Sequence, residues 1–175
     1  KVQLMTIANY ILAVIAFMLN ASVLIIVKKQ TAVIIERFGK FVAVRQPGLH
    51  LKIPLVDKVA GRISLKILQL DVIVETKTKD DVFVKLKVSV QYKVVTGSVY
   101  DAFYKLDYPQ DQITSYVFDV IRAEVPKMKL DDVFEKKNDI ANAVKGELNE
   151  SRTHYGYDII KAWGTEIDPE SQLKK

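Results

Sequence analysis

The chain has 175 residues, 49% of them hydrophobic, and a formal net charge of +5, enough for one soluble domain behind a hydrophobic segment and too little for two large independent ones. It contains no cysteine, which excludes disulfides, thiolate catalysis, Cys-based zinc sites and palmitoylation; a reducing compartment suits such a chain, and a bacterial periplasm is still allowed. Mild basicity of this size fits an anionic membrane surface at least as well as it fits nucleic acid.

From Met5 to Val27 no residue is charged, and the only polar members are Thr6, Asn9, Tyr10, Asn20 and Ser22. A helix over this stretch would reach roughly 35 Å, against a hydrocarbon core of about 30 Å. A buried core helix would show one polar face, and this segment has none. A cleavable signal peptide has a shorter apolar run, and Leu19-Asn20-Ala21 is a poor cleavage site. A monotopic hairpin stays open, although no central proline marks its bend. The stretch predicts a retained transmembrane helix, with residues 1–29 as the membrane anchor. Lys28, Lys29, Arg37 and Lys40 follow it while only Lys1 precedes it, which places the larger part on the cytoplasmic side.

Residues 30–95 read as a β-rich half. Thr31 to Glu36 is strand-like, Phe38-Gly39-Lys40 offers a turn before Phe41 to Arg45, and Gln46-Pro47-Gly48 offers a second. Val82 to Val94 alternates, with Val82, Val84, Leu86, Val88, Val90, Tyr92 and Val94 on one face and mostly Lys, Ser and Gln on the other. That is the pattern of a half-buried antiparallel strand, and Ile63 to Glu75 is its expected partner across the Lys77–Asp81 turn.

Residues 96–168 change period. Helices are expected over Ser98–Lys105, over Asp111–Glu124 and over Asp132–His154. The second carries a stripe of Ile113, Tyr116, Val117, Val120 and Ile121 and is ended by Pro126. The third carries Val133, Phe134, Ile140, Ala141, Val144 and Leu148, starts at a capping-box-like Asp132/Glu135 pair, and has Gly156 where a left-handed residue is wanted. Tyr157 to Ile167 then returns to β. The layout is α+β, a bent antiparallel sheet with packed helices.

Several ordered motifs carry a resemblance. The run QTAVIIERFGKFVAVRQPGLHLKIPLVDKV (30–59) resembles the opening of an SPFH (band 7) domain, the family of stomatins, prohibitins, flotillins and their bacterial relatives. LQLDVIVETKTKDDVFVKLKVSVQYKV (68–94), DAFYKL (101–106), YVFDVIRAEVPKMKLDDVFEKKNDIANAV (116–144) and YGYDII (155–160) are most similar to the hypersensitive-induced-reaction-like branch. The resemblance covers roughly residues 30–168, and an ordered set of motifs is far more specific than one short pattern. It implies a non-enzymatic, membrane-bound, stomatin-like scaffold whose copies close into rings or cages, organise membrane microdomains and hold client proteins, a membrane protease among them. It also implies a long helical arm after Ile167-Asp168-Pro169, with residues 169–175 as its start. Three features depart from the family: a hydrophobic helix where plant members are acylated, the chain's stop at Lys175, and Ala162-Trp163-Gly164 in a usually aliphatic stretch. A strand glycine there would mark a bulge.

Catalytic chemistry has little to stand on: there is no G-x-S-x-G, no glycine-rich phosphate loop and no H-E-x-x-H. His50 and His154 read as structural or solvated. Asp80-Asp81 and Asp131-Asp132 read as a hairpin turn and a helix start, without the third or fourth ligand a metal needs. No cofactor, metal or catalytic residue is expected, and a membrane-anchored hydrolase with an unrecognised site is the competing reading. Asn149-Glu150-Ser151 matches a glycosylation sequon, a pattern common by chance.

Two features carry interaction chemistry. Leu49, Leu51, Ile53, Leu55 and Val56 crowd a proline-containing segment that is either a core strand or a loop dipping into the bilayer interface, with Lys52 and Lys58 near lipid phosphates. Together with Lys28 and Lys29 these form the expected membrane-interface site. Lys127, Lys129, Lys136 and Lys137 form a charged face suited to solvent or to acidic neighbours. Nucleic acid is not expected, because the lysines are not interleaved with exposed aromatics. The expected partners are the lipid bilayer, further copies of the chain and a membrane-protein client. The expected location is a single-pass position in a membrane, a bacterial inner membrane in the first instance.

Overall fold

The computed structural model describes residues 2–21, 23–151 and 155–169, and the chain divides into two compact units, Lys1–Leu65 and Lys66–Lys175. In the first unit a helix, α1 (Val2–Ala21), precedes five strands: β1 (Leu24–Val27), β2 (Thr31–Arg37), β3 (Lys40–Arg45), β4 (Gly48–Leu51) and β5 (Asp57–Ser64). They form two antiparallel sheets. β1 pairs with β4 as a two-stranded ribbon, and β2 lies between β3 and β5 in a three-stranded sheet. The β-branched run Ala32-Val33-Ile34-Ile35 makes β2 the centre, since all four side chains are buried. Ile25 and Val27 from β1 pack with Val33, Ile35 and Val59. Phe38 and Gly39 take φ of 49° and 76°, the paired left-handed geometry that lets a two-residue hairpin follow the strand twist.

The second unit holds β6 (Leu68–Lys77), β7 (Phe83–Val94) and β8 (Tyr157–Pro169), with β7 in the middle of an antiparallel sheet. Four helices intervene: α2 (Val99–Tyr104), α3 (Pro109–Glu124), α4 (Leu130–Glu135) and α5 (Lys137–Ser151). Val84, Leu86, Val88, Val90 and Tyr92 from β7 pack against Ile113, Val117 and Ile121 of α3, Val133 of α4, and Ile140, Val144 and Leu148 of α5. Period two on the strand and period 3.6 on the helices are what place all of these side chains in one layer. The register slips between Lys87 and Val88, which pair with Glu166 and Gly164, so that Thr165 between the latter two bulges out. This is the irregularity expected at Gly164.

The α+β class and the β7 and α3 patterns follow the sequence expectations, and several boundaries do not. Met5 to Val27 is not one continuous helix: α1 ends at Ala21, and Leu24–Val27 is strand. Among the described residues no helix is long and apolar enough to cross a membrane. The reason for the strand is local, because Ile25, Ile26 and Val27 are β-branched and their alternation buries Ile25 and Val27. Among the described residues the strands form three sheets instead of one bent sheet. Ile63 and Ser64 pair with Ala32 and Thr31 rather than with β7, so β7's partner begins at Leu68. β6 and β7 belong to the same compact unit as the helices α2–α5, and β1–β5 to the other. The third expected helix breaks at Lys136, whose ψ of 16° ends α4 before α5 begins, and the change of phase leaves Phe134 exposed. Pro169, where the helical arm of residues 169–175 is expected to start, is instead the last residue of β8, and His154 and residues 170–175 lie outside the described residues.

Candidate functional site

The first unit assembles an apolar surface from strand alternation. In the β1–β4 ribbon Leu24 pairs with Leu51, and Ile26 with Leu49. Alternate side chains share a face, and all four of these are exposed, while Ile25 and Val27 on the other face are buried. The sequence left open whether Leu49, Leu51, Ile53 and Leu55 belong to a core. They are exposed, Leu55 to 93%, and Val56 is half-buried. Leu24 and Ile26 complete the patch and were hidden inside the uncharged run assigned to a helix. Just before the ribbon in the chain, α1 exposes Leu4, Met5, Ile7, Ile11, Leu12, Ile15 and Phe17, apolar side chains that circle the helix rather than line one stripe. An exposed apolar surface of this extent is characteristic of a contact with another phase or another protein.

The segment carrying Ile53 and Leu55 is held in a fixed shape. Arg37 Nε donates to Asp57 Oδ1 at 2.7 Å, and its Nη2 donates to Oδ2 at 3.3 Å. Asp57 Oδ2 also accepts the Ile53 N–H at 2.9 Å, and the Asp57 N–H donates to the Ile53 carbonyl at 2.9 Å. The Arg37 guanidinium, then the Ile53 amide, hold the Asp57 carboxyl below the usual carboxylate range. His50 Nε2 lies 2.6 Å from the Gln46 carbonyl oxygen, a structural role.

The expected interface residues are not all in one place. Leu51 ends β4 opposite Leu24, the start of β1, and Ile53 and Leu55 follow it. Lys28 and Lys29, both exposed, follow the other end of β1, about 13 Å along the strand. Lys52 is half-buried and Lys58 is exposed, close to the apolar loop in sequence.

In the second unit the acidic doublets have structural partners. Asp80 Oδ1 accepts the Thr78 hydroxyl at 2.6 Å and the Leu130 N–H at 3.1 Å, so it caps α4 from the β6–β7 turn. Asp131 and Asp132 lie in the first turn of α4, where Asp132 accepts the Lys129 N–H at 3.4 Å. On the open face of the sheet Lys85 pairs with Glu75 at 3.1 Å and Lys87 with Asp71 at 3.5 Å. Ser89 Oγ donates to Asp71 at 2.7 Å, and this bond, with one from Gln69, keeps the Asp71 carboxyl low. These lysines are therefore engaged within the chain. Lys127, Lys129, Lys136 and Lys137 are exposed, with Lys127 paired to Glu124 at 3.0 Å. An apolar cavity of about 30 Å³ lies among Ile113, Tyr116, Leu148 and Tyr157, and an open groove of about 350 Å³ between α3 and α5 carries Asp119, Glu124 and Glu147. Among the described residues no three His, Asp or Glu side chains are grouped to hold a metal. Asn149 of the sequon lies within α5, with its Oδ1 buried.

The SPFH domain / Band 7 family matches residues 25–175, from the second residue of β1 onward. The chain belongs to this family. It is 46% identical over 143 residues to Hypersensitive-induced response protein 4 of Arabidopsis thaliana, covering 81% of this chain and 49% of that protein. It is 26% identical over 141 residues to human Stomatin-like protein 2, mitochondrial, covering 80% of this chain and 39% of that protein. This SPFH chain thus spans about half or less of the length of these relatives. The resemblance to the hypersensitive-induced-reaction-like branch holds, while the expected bacterial membrane gains no support from plant and mammalian relatives. SPFH proteins are membrane-associated and generally non-enzymatic scaffolds, and the exposed apolar surface is the feature of this chain to explain.

Proposed function

We propose that this chain is the SPFH portion of a membrane-associated scaffold subunit. The exposed apolar ribbon of Leu24, Ile26, Leu49 and Leu51, continuing through Ile53 and Leu55 and preceded by the apolar α1, is the observation that carries this reading. Burying such side chains in a bilayer interface recovers roughly 1.5–3 kcal/mol for each one fully buried. In this reading the soluble part lies on the cytoplasmic side, as the lysines behind α1 suggest. Copies of the chain meet side by side through a front-to-back contact that closes into a ring when the rotation per subunit permits. Confinement to a membrane raises the effective concentration, so a weak contact suffices. The ring then corrals lipids and membrane-protein clients, a membrane protease being one candidate. Family membership supports the scaffold role.

The test is a mass measurement of the full-length protein extracted in mild detergent, together with flotation on vesicles. A high-order species that floats is the expected result. A monomer at every concentration, or failure to float, overturns the proposal. Replacing Leu49 and Leu51 with Gln should lower vesicle binding by at least tenfold while leaving the thermal unfolding of the protein unchanged.

A further inference from the structure

Phe38 and Leu55 share an anomaly. Both are bulky apolar residues in the left-handed region, with φ of 49° and 68°, and both face solvent, at 81% and 93% exposure. Neither backbone preference nor burial accounts for such side chains at such positions. A polar residue or glycine would meet the backbone geometry with less strain.

Topology brings the two together. Arg37, the last residue of β2, is in register with Lys40 on β3 and with Asp57 on β5. The Phe38-Gly39 turn extends beyond Arg37, and the loop carrying Leu55 extends beyond Asp57, so both project from the same end of one sheet. Neighbouring strands lie about 5 Å apart, which makes the two tips near neighbours. The Arg37–Asp57 ion pair bridges their bases, and Asp57 also accepts the Ile53 N–H, so the two turns are tied to each other. Around them stand Lys40 and Lys58, exposed, and Lys52, half-buried, with Arg37 as a fourth cation; the acidic residues at this end are Glu36 and Asp57.

We infer that Phe38 and Leu55 form a paired apolar wedge that enters the interfacial layer of an anionic bilayer, with Lys40, Lys52 and Lys58 at the level of the lipid phosphates. This rests on the membrane reading above and adds to it a second inserting turn, its clamp and a preference for acidic lipid. Apolar side chains supply the penetration, and each nearby cation adds attraction to an anionic leaflet.

These 175 residues contain no cysteine, so single cysteines placed in them report cleanly once any cysteine elsewhere in the full-length protein is replaced by serine. Phe38→Cys, Leu55→Cys, Leu49→Cys and, at the far end of β1, Lys28→Cys would each be labelled with an environment-sensitive fluorophore in the full-length protein. Each would be mixed with phosphatidylcholine vesicles, with or without phosphatidylserine, carrying a quencher on the acyl chains. The inference expects labels at 38 and 55 to be quenched several-fold more than the label at 28, and more strongly with phosphatidylserine. The double substitution Lys40→Gln/Lys58→Gln should remove that phosphatidylserine dependence. Quenching at 49 and 55 without quenching at 38 overturns the wedge and leaves the membrane reading standing. Quenching at none of 38, 49 and 55 overturns both. Equal quenching without phosphatidylserine overturns the lipid preference. Shielding of position 38 that grows with protein concentration in the absence of vesicles assigns the tip to a contact between chains and overturns the wedge.

Discussion

The carboxylate of Asp80, at the tip of the β6–β7 hairpin, accepts the Leu130 N–H at 3.1 Å and so caps a helix fifty positions further on. A parallel backbone bond from Lys79 N–H to the Met128 carbonyl, 2.8 Å, fastens the same two segments. Hydrogen bonds from Thr78 and from the backbone hold the Asp80 carboxyl below its ordinary range. A depressed folded value means the link contributes above the ordinary carboxylate pKa and is lost as pH falls through the lower, folded one. Asp80→Ala should lower Tm by a few degrees at pH 7, and the difference from the unsubstituted protein should shrink in strong acid. Thermal unfolding monitored by circular dichroism at several pH values checks both. Equal melting at pH 7 would show the cap to be dispensable.

Gly156 tests backbone geometry. Its φ is +74°, and a Cβ there would collide with the Ser98 carbonyl oxygen and stand 3.0 Å from the Ala102 nitrogen. Its own carbonyl accepts the Val95 N–H at 2.9 Å, so the chain has little freedom to back away. Gly156→Ala should therefore cost about 3 kcal/mol, combining left-handed strain with a backbone clash. Urea denaturation measures it. Gly146, in an exposed helical position with open space around it, should accept alanine with a gain of up to about 1 kcal/mol.

Ile121 and Phe134 separate the observed helix phase from the one read in sequence. Ile121 is fully buried beneath β7, while Phe134 is 43% exposed. Ile121→Ala should cost about 2–5 kcal/mol through lost burial and the cavity left behind. Phe134→Ala should cost well under 1 kcal/mol, although the apolar stripe places it in the core. A large loss at Phe134 would mean that α4 and α5 form one continuous helix after all.

What the sequence made legible was set by periodicity. The alternation from Val84 to Val94 left only one way to bury β7, and Ile113, Val117 and Ile121 left only one face for α3. What stayed hidden depends on contacts distant along the chain. At the start of α4 the local Asp132–Lys129 bond is joined by Asp80, which reaches Leu130 from another element, and only the local part can be read from neighbouring residues. The break at Lys136 falls between Glu135 and Lys137, both good helix formers. Leu24 to Val27 sits inside an apolar run whose only local sign of strand is β-branching, and its pairing with Gly48–Leu51 is a tertiary choice. Half of the apolar surface was accordingly visible, as Leu49 to Leu55, and half was read as helix. Phe38 was read only as part of a turn, because exposure is not written in a single sequence.

Asp57 offers a direct test of how the apolar loop is held. Its carboxylate takes two hydrogen bonds from Arg37 and one from the Ile53 amide, and Arg45 adds a further favourable charge. All of these favour the ionised form, so the folded pKa lies below the ordinary one. The clamp is thus fully formed at neutral pH, persists below the ordinary carboxylate pKa, and opens only as pH falls through the lower, folded value. Asp57→Ala removes the acceptor at every pH. The Ile53 amide should then exchange with solvent on the order of tenfold faster, because its hydrogen bond is local to an exposed segment. Amides of β7, whose bonds lie in the other unit, should exchange at unchanged rates. Hydrogen–deuterium exchange resolved by peptide, at pH 7 and again in acid, reads both segments in one experiment. Unchanged protection of residues 52–56 would show that the loop is held by packing alone, and the two turns would then lack the shared clamp on which their joint insertion depends.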